Sequence, residues 1–332
     1  MTLSYDVTAV GNAIVDVIAP ASDDFLHTEG LAKGAMTLID EARAASLYAR
    51  MAPGIEASGG SAANTVAGVA SLGGRAAYMG KVAKDTLGEV FSHDIRASGA
   101  HFDTPPAVAG PATARCLINV TPDGQRTMNT YLGACVTLGP DDIDAAVIEA
   151  SKIVYLEGYL FDPPDARRAF AKAAALARGA GGKIALTLSD AFVVERHRGA
   201  LLGFIESQVD ILLANETEIA ALFETTDLEA AVAALRGIVE TAAVTRGPDG
   251  AVVFSGPARH DVAAVRPRIV LDTTGAGDQF AAGFLFGLAE GHALESCGVL
   301  GCLAAAEVID HYGPRPERPL RELARDEGLL TK

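Results

Sequence analysis

The chain has 332 residues, 49% of them apolar, and a formal net charge of −15. That composition fits a globular protein with a sizeable core and excludes a disordered chain. The acidic balance argues against nucleic acid or an anionic membrane surface as a partner, and no run approaches the ~20 apolar residues of a membrane span.

The opening residues lack the basic and apolar regions of a secretion signal. Residues 5–11 read as a strand ending in a turn at Gly11-Asn12, and 14–19 continue extended. Asp16 stands among apolar residues, and a buried carboxylate needs partners. It either accepts two hydrogen bonds from a sugar diol or caps a neighbouring turn. Residues 20–57 read as irregular and polar, with short extended pieces such as 35–40. Ser58-Gly59-Gly60-Ser61 then forms a glycine turn before a helix of small residues. Asn64 lies one turn inside, a poor place for Asn on propensity. It therefore faces solvent or reaches a ligand at the helix start.

Residues 75–83 predict a strand and 85–100 an amphipathic helix. Residues 103–112 are a Pro- and Gly-rich loop. Segments 114–120 and 125–132 flank Asp123-Gly124 and predict a hairpin. Arg126 on its second strand is either solvated or reaches a phosphate over a cleft.

From 139 onward the signals alternate. Helices are predicted at 141–150, 164–181, 198–207, 216–224, 227–237 and 295–313, the last in the chain. Strands are predicted at 152–160, 183–190, 209–215 and twice within 241–256. This alternation implies an α/β fold, a doubly wound and mostly parallel sheet flanked by helices. Ligands bind such sheets beyond the carboxyl ends of the strands. Cys297 and Cys302 lie in the last helix and read as packed thiols. With Cys116 and Cys135 they form no C-x-x-C pair, which predicts a reducing cytoplasm. The histidines are scattered without metal-ligand spacing.

The stretch 270–290 carries the most chemistry. An extended apolar segment, Ile269-Val270-Leu271, runs into a loop and then a buried helix beginning near Gly275–Asp278. The first amides of a helix lack partners and, with its dipole, attract an anion. Gly275, Ala276 and Gly277 carry almost no side chain, so a phosphate can reach the backbone. Asp278 either caps this helix or takes the proton from a hydroxyl being phosphorylated. Asn215 and Glu218, three apart at a helix start, either order Mg²⁺ and its waters or form a cap. Thr245-x-Gly247-x-x-Gly250 joins two strands, and its glycines either admit a nucleotide or make the turn. No G-x-x-x-x-G-K-[ST] occurs, and Gly275-x-Gly277 is followed by Asp-Gln-Phe, which breaks G-x-G-x-x-G. Any phosphate site is therefore of another kind.

Four ordered motifs resemble the ribokinase-like (PfkB) carbohydrate kinase family: Gly59-Gly60-x-x-x-Asn64, Asn215-x-x-Glu218, Thr245-x-Gly247-x-x-Gly250 and Asp272-Thr273-x-Gly275-Ala276-Gly277-Asp278. The resemblance implies one kinase unit over 1–332, with an α/β core and a small β-sheet lid from about 16–56 and 103–135. It implies Asp278 as base and Gly275, Ala276 and Gly277 as the anion hole. Asp16, Gly60 and Asn64 would hold sugar hydroxyls, and Thr245, Gly247 and Gly250 would line the ATP site with Asn215. Asn215 and Glu218 would order Mg²⁺, while Asp272 and Thr274 match a region that binds a monovalent cation such as K⁺ in many members.

Within the family the chain is similar to adenosine kinases at Gly11-Asn12-Ala-Ile-Val-Asp16, at Asp190 in LSDAF, and at VDILLANETE and AAAEVIDHYG. This implies an ATP-dependent kinase for the 5′-type hydroxyl of a nucleoside, adenosine giving AMP. The alternatives are another purine nucleoside, such as guanosine or inosine, or a free sugar or sugar acid (ribose, fructose, 2-keto-3-deoxygluconate). Ile14, Tyr159 and Leu160 are the candidates for an apolar base slot, with one aromatic where animal adenosine kinases place two. The expected partners are small molecules alone, for a monomer or a homodimer.

Overall fold

The computed structural model describes residues 4–331. The chain opens with β1 (Tyr5–Val10), β2 (Ile14–Pro20), α1 (Asp23–Glu29), β3 (Met36–Leu38), α2 (Glu41–Tyr48), β4 (Ile55–Gly59) and α3 (Ser61–Ser71). It continues with β5 (Ala76–Met79), α4 (Thr86–Ala97), β6 (Ala114–Val120), β7 (Arg126–Tyr131), α5 (Ala145–Glu149), β8 (Ser151–Glu157), α6 (Pro164–Ala180) and β9 (Lys183–Thr187). Next come α7 (Ala191–Gln208), β10 (Ile211–Asn215), α8 (Glu216–Phe223), α9 (Leu228–Arg236), β11 (Thr241–Thr245), β12 (Ala251–Ser255) and β13 (Ala258–Val262). Helices α10 (Ala276–Ala289), α11 (Leu294–Ile309) and α12 (Leu320–Asp326) close it.

Eight strands form the large sheet in the order β13-β12-β11-β10-β9-β8-β1-β5. The six from β11 to β5 are parallel, and β12 and β13 add an antiparallel edge. Strands such as β8 and β10 read as near-continuous apolar runs because helices cover both faces. One face packs α6, α7, α8 and α9 over Val154, Leu186, Leu212 and Val244. The other packs α3, α4, α10 and α11 over Ala9, Tyr155, Leu213 and Val253. The expected doubly wound α/β sheet is present.

A second sheet, β3-β7-β6-β2-β4, stands apart from the first. The chain enters it directly from β1 through Gly11-Asn12-Ala13. Glu157, at the end of β8, fixes that crossing. Its carboxylate accepts from Asn12 Nδ2 at 2.7 Å, from the Asn12 amide and from the Ala62 amide at 3.0 Å. One buried side chain thus ties both sheets to the start of α3.

Several expectations are corrected. Residues 20–57 hold two helices: Ser22 caps α1, which stops at the left-handed Gly30, and Asp40 caps α2. Both helices are short and mostly polar, so no long periodicity announces them. Ile269-Val270-Leu271 is exposed and joins no strand, so Gly275 does not follow a strand of the sheet. Helix α7 begins at Ala191, capped by Asp190 through the Phe192 amide, seven residues before the predicted start. The predicted helix 141–150 is a 3₁₀ turn followed by the short α5. Residues 158–161 turn as 3₁₀ instead of extending β8. Strand β13 and helix α12 were not foreseen.

Candidate active site

The loops at the carboxyl ends of the parallel strands converge on the start of α10. Gly275 adopts φ +78°, and a Cβ there would lie 2.6 Å from Pro314 Cα, so only glycine fits. The Ala276 amide donates to the Thr273 carbonyl at 3.2 Å, so the turn itself uses it and the predicted anion hole loses one donor. The amides of Gly277 and Asp278, whose helical acceptors would lie before the helix, remain at its mouth. A Cβ on Gly277 would meet nothing within 4 Å, so this position faces open space.

The Asp278 carboxylate is clamped from α3. Ser61 Oγ donates to Oδ1 at 2.6 Å and Asn64 Nδ2 to Oδ2 at 3.0 Å. Thr65 Oγ1 holds the Asp278 carbonyl at 3.1 Å. Burial pushes the carboxyl up in pKa, and the donors from Ser61 and Asn64 oppose this. Asn64 therefore reaches inward to Asp278 and does not face solvent. Asp278 shares a small polar cleft with Ser61, Thr187, Ser189, Asn215, Glu218, Thr245 and Gly277.

Thr245 and Gly277 also line a second, larger cavity of about 610 Å³. Its walls are mostly apolar: Pro248, Val265, Val270, Ala305, Ile309 and the backbone of Gly247 and Gly250. Gly250 sits at φ +84° with a would-be Cβ 2.0 Å from the Val262 carbonyl, so its glycine is required by the β12–β13 packing. The two cavities meet at Gly277. A flat apolar group in one and a phosphate at the helix mouth would bring a phosphoryl group to Asp278.

Asn215 and Glu218 form a full capping box. Asn215 Oδ1 accepts from the Glu218 amide at 2.9 Å, and Glu218 Oε2 accepts from the Asn215 amide at 3.0 Å. Asn215 Nδ2 also donates to Glu218 Oε1 at 2.9 Å. Burial pushes Glu218 up to about 7. Among the described residues no three metal-ligating side chains cluster. One carboxylate at the rim of a phosphate cleft suits Mg²⁺ carried by a nucleotide and its waters rather than an all-protein cage.

Asp16 lies on β2 with its carboxylate against Gly59, where a Cβ would sit 2.2 Å from Oδ2. Gly60 caps α3 at φ +97°, with a would-be Cβ 2.2 Å from the Asn12 carbonyl. The Gly59-Gly60 pair is thus demanded by close approach of two chain segments. No side-chain hydrogen bond satisfies Asp16 among the described residues, and burial lifts its pKa to about 7 despite Arg315 and Arg126 nearby. The cap alternative for Asp16 is not realised.

Arg126 is buried and pairs with Asp272 instead of standing in solvent. Asp272 Oδ1 also accepts from the Thr274 amide and Oδ2 from the Gly313 amide, each at 3.0 Å. A guanidinium and two amides therefore already engage the carboxylate expected to face a monovalent cation. Ile14 lies half-buried on β2 beside Gly59 and Ala114. Leu160 is fully enclosed in the core with Phe161 and Phe170, and Tyr159 packs against the same cluster. Leu160 is therefore unavailable to a ligand; the 3₁₀ turn after β8 rotates it inward.

Residues 50–320 match the pfkB family carbohydrate kinase domain. The chain belongs to the pfkB carbohydrate kinase family. It is 28% identical to adenosine kinase of Saccharomyces cerevisiae over 94% of this chain and 97% of that one. Its fold superposes on the crystal structure of adenosine kinase from Sinorhizobium meliloti with TM-score 0.91 at 54% identity, covering 97% of this chain and 99% of that one. A probable sugar kinase from Rhizobium etli gives TM-score 0.93 at 52% identity, covering 99% and 100%. This pfkB kinase is a phosphotransferase with an alcohol acceptor, acting on a small nucleoside or sugar. Kinases of this family use ATP and typically Mg²⁺. No helix among the described residues is long and apolar enough to cross a membrane.

Four residues of this candidate site escaped the sequence reading. Ser61 follows the glycine pair and looked like an ordinary helix start. Glu157 was read within a strand, although a lone acid after KIVYL was a signal. Ser189, a non-glycine at φ +67° with a buried unpartnered hydroxyl, lines the polar cleft; such strain gathers at functional sites. Arg315 lies 251 residues from Asn64 in sequence yet approaches it at 3.4 Å.

Proposed function

We propose that this kinase transfers the terminal phosphoryl group of ATP to the 5′-type primary hydroxyl of a nucleoside, adenosine, giving AMP. The observation that carries the reading is the Asp278 carboxylate, held by Ser61 and Asn64 beside the open amide of Gly277 where two cavities meet. Asp278 takes the hydroxyl proton as the oxygen attacks phosphorus. The amides of Gly277 and Asp278 face the charge on the transferring group, with Gly275 setting the turn. Such transfer needs positioning and charge stabilisation more than covalent chemistry. Asn215 and Glu218 would hold Mg²⁺ through water; the ion neutralises phosphate charge when bound. Thr245, Gly247 and Gly250 line the nucleotide cavity. Asp16, Gly60 and Asn64 hold the ribose, and the second sheet serves as a lid that excludes water from the transfer.

The adenosine kinases among the relatives support the nucleoside. The probable sugar kinase from Rhizobium etli and the enclosure of Leu160, which removes one wall of the expected base slot, favour a second reading, a free-sugar acceptor. A panel of adenosine, inosine, guanosine, ribose and fructose at fixed MgATP, read by ADP release, decides between them. Adenosine should give the highest kcat/KM; a preference for ribose or fructose would overturn the nucleoside reading.

A further inference from the structure

Arg315 sits in the segment after α11, and three anchors hold that segment still. Glu307 accepts from the amides of Glu317 at 3.1 Å and Arg318 at 2.8 Å. Gln279, fully buried beside Asp278, donates through Nε2 to the Pro314 carbonyl at 2.9 Å and to the Asn64 carbonyl at 3.0 Å. Arg315 itself places Nε 3.4 Å from Asn64 Oδ1 and Nη1 3.2 Å from Asp94. Asp94 in turn accepts from the amide and hydroxyl of Ser58, at the entry to the glycine pair. The guanidinium is therefore fixed from both sides, and its placement is not a property of a mobile surface arginine.

Two groups at this point lack partners. Nη2 of Arg315 is buried without a hydrogen bond. The Asp16 carboxylate, also buried, accepts no hydrogen bond, and no ion pair joins it to Arg315 among the described residues. Leaving a buried charged donor and a buried charged acceptor unsatisfied is costly. A carboxylate and a guanidinium that were free to move would pair directly, often in a bidentate contact. Here the Asp16 carboxylate lies against Gly59 on the second sheet, and Asp94 with Asn64 holds the guanidinium, so each keeps its capacity for something between them. Of the charges acting on Asp16, that of Arg315 is the largest.

A vicinal diol has the matching chemistry. Each hydroxyl can donate once and accept twice. One can donate to a carboxylate while the other accepts from a guanidinium. We propose that Arg315 is a substrate-binding residue that donates through Nη2 to one ribose hydroxyl while Asp16 accepts from the vicinal one. This rests on the nucleoside reading of the acceptor. It makes the ribo configuration, rather than the base, the feature read by this side of the site.

The test is a kinetic cycle between enzyme and substrate, with wild type, Arg315→Gln and Arg315→Lys on adenosine, 2′-deoxyadenosine and 3′-deoxyadenosine. Arg315→Gln should raise KM for adenosine by about 10-fold or more, the effect of losing a charged hydrogen bond, with kcat changed much less. The deoxy analogue lacking the contacted oxygen should be poor for the wild type and lose nothing further in Arg315→Gln. Arg315→Lys, which keeps the charge, should recover part of the adenosine KM. Equal losses on all three nucleosides would make Arg315 a purely structural brace and overturn the proposal. So would a wild type that treats both deoxy analogues like adenosine, a result that does not depend on any variant folding. A wild type inactive on every nucleoside would overturn the nucleoside reading instead; the same cycle on ribose and 2-deoxyribose then decides the role of Arg315.

Discussion

Asp278 and Gly277 make opposite demands on a substitution, and together they separate chemistry from folding. Asp278→Asn keeps the size and can still accept from Asn64, but its amide nitrogen becomes a donor toward Ser61 Oγ and it cannot take a proton. Turnover should fall ~10²–10⁴-fold with a modest change in KM, the scale of a lost general base. Steady-state assays at saturating ATP check it, and near-normal turnover would refute the base assignment. At Gly277 an added methyl meets nothing within 4 Å, so Gly277→Ala should melt near the wild-type temperature. The methyl would nevertheless project where the transferring group must pass, and turnover should drop. Gly275→Ala is the converse. Its Cβ would strike Pro314 at 2.6 Å from a left-handed backbone, costing about 1–3 kcal/mol of stability. Equal melting temperatures for the two alanine variants would contradict this division.

The elements show why some of the site was legible and some was not. The start of α10 was readable because its requirements are local: small residues, an acid in the first turn and an apolar run behind. The Asn215–Glu218 box was readable for the same reason, although spacing alone left capping and metal binding open and the structure realises the cap directly. Asn64 was readable as an anomaly, a polar side chain one turn into a helix of alanines. What failed was non-local. Nothing around Arg315 announces that Gln279 and Glu307 will pin its loop against α3, and Leu160 looked exposed to a ligand only while the turn after β8 was taken as strand. The hairpin β6–β7 was predicted, yet not that its Arg126 would reach Asp272 at the loop before α10. That contact has a measurable consequence. The carboxylate is already matched by a tethered cation and two amides, so turnover should be the same in potassium and in tetramethylammonium salts at equal ionic strength. Strong activation by potassium would mean that the pair opens in the working enzyme and frees Asp272.

Across the whole molecule, three buried carboxyls set how stability and activity respond to pH. Burial lifts Asp16, Glu157 and Glu218 to about 7, well above their ordinary range. Between about pH 4.5 and 7 the folded protein therefore holds protons that the unfolded chain has released. Stability must then fall as pH rises through that window. Asp6 and Asp123 work in the other sense, held near 2 by their partners, foremost Arg75 and Lys33 among them. What they contribute is lost only below about pH 4. The protein should thus melt at a higher temperature at pH 6 than at pH 8. Activity should move the opposite way, because Asp278 must be ionised to accept a proton and an ionised Asp16 is the stronger acceptor for a hydroxyl. Melting curves and kcat/KM measured on the same samples at pH 6, 7 and 8 test both signs. Asp16→Asn removes one of the three groups and should flatten the stability slope; a slope unchanged in that variant, or a wild type that melts higher at pH 8, would mean that these carboxyls are better solvated than their burial implies.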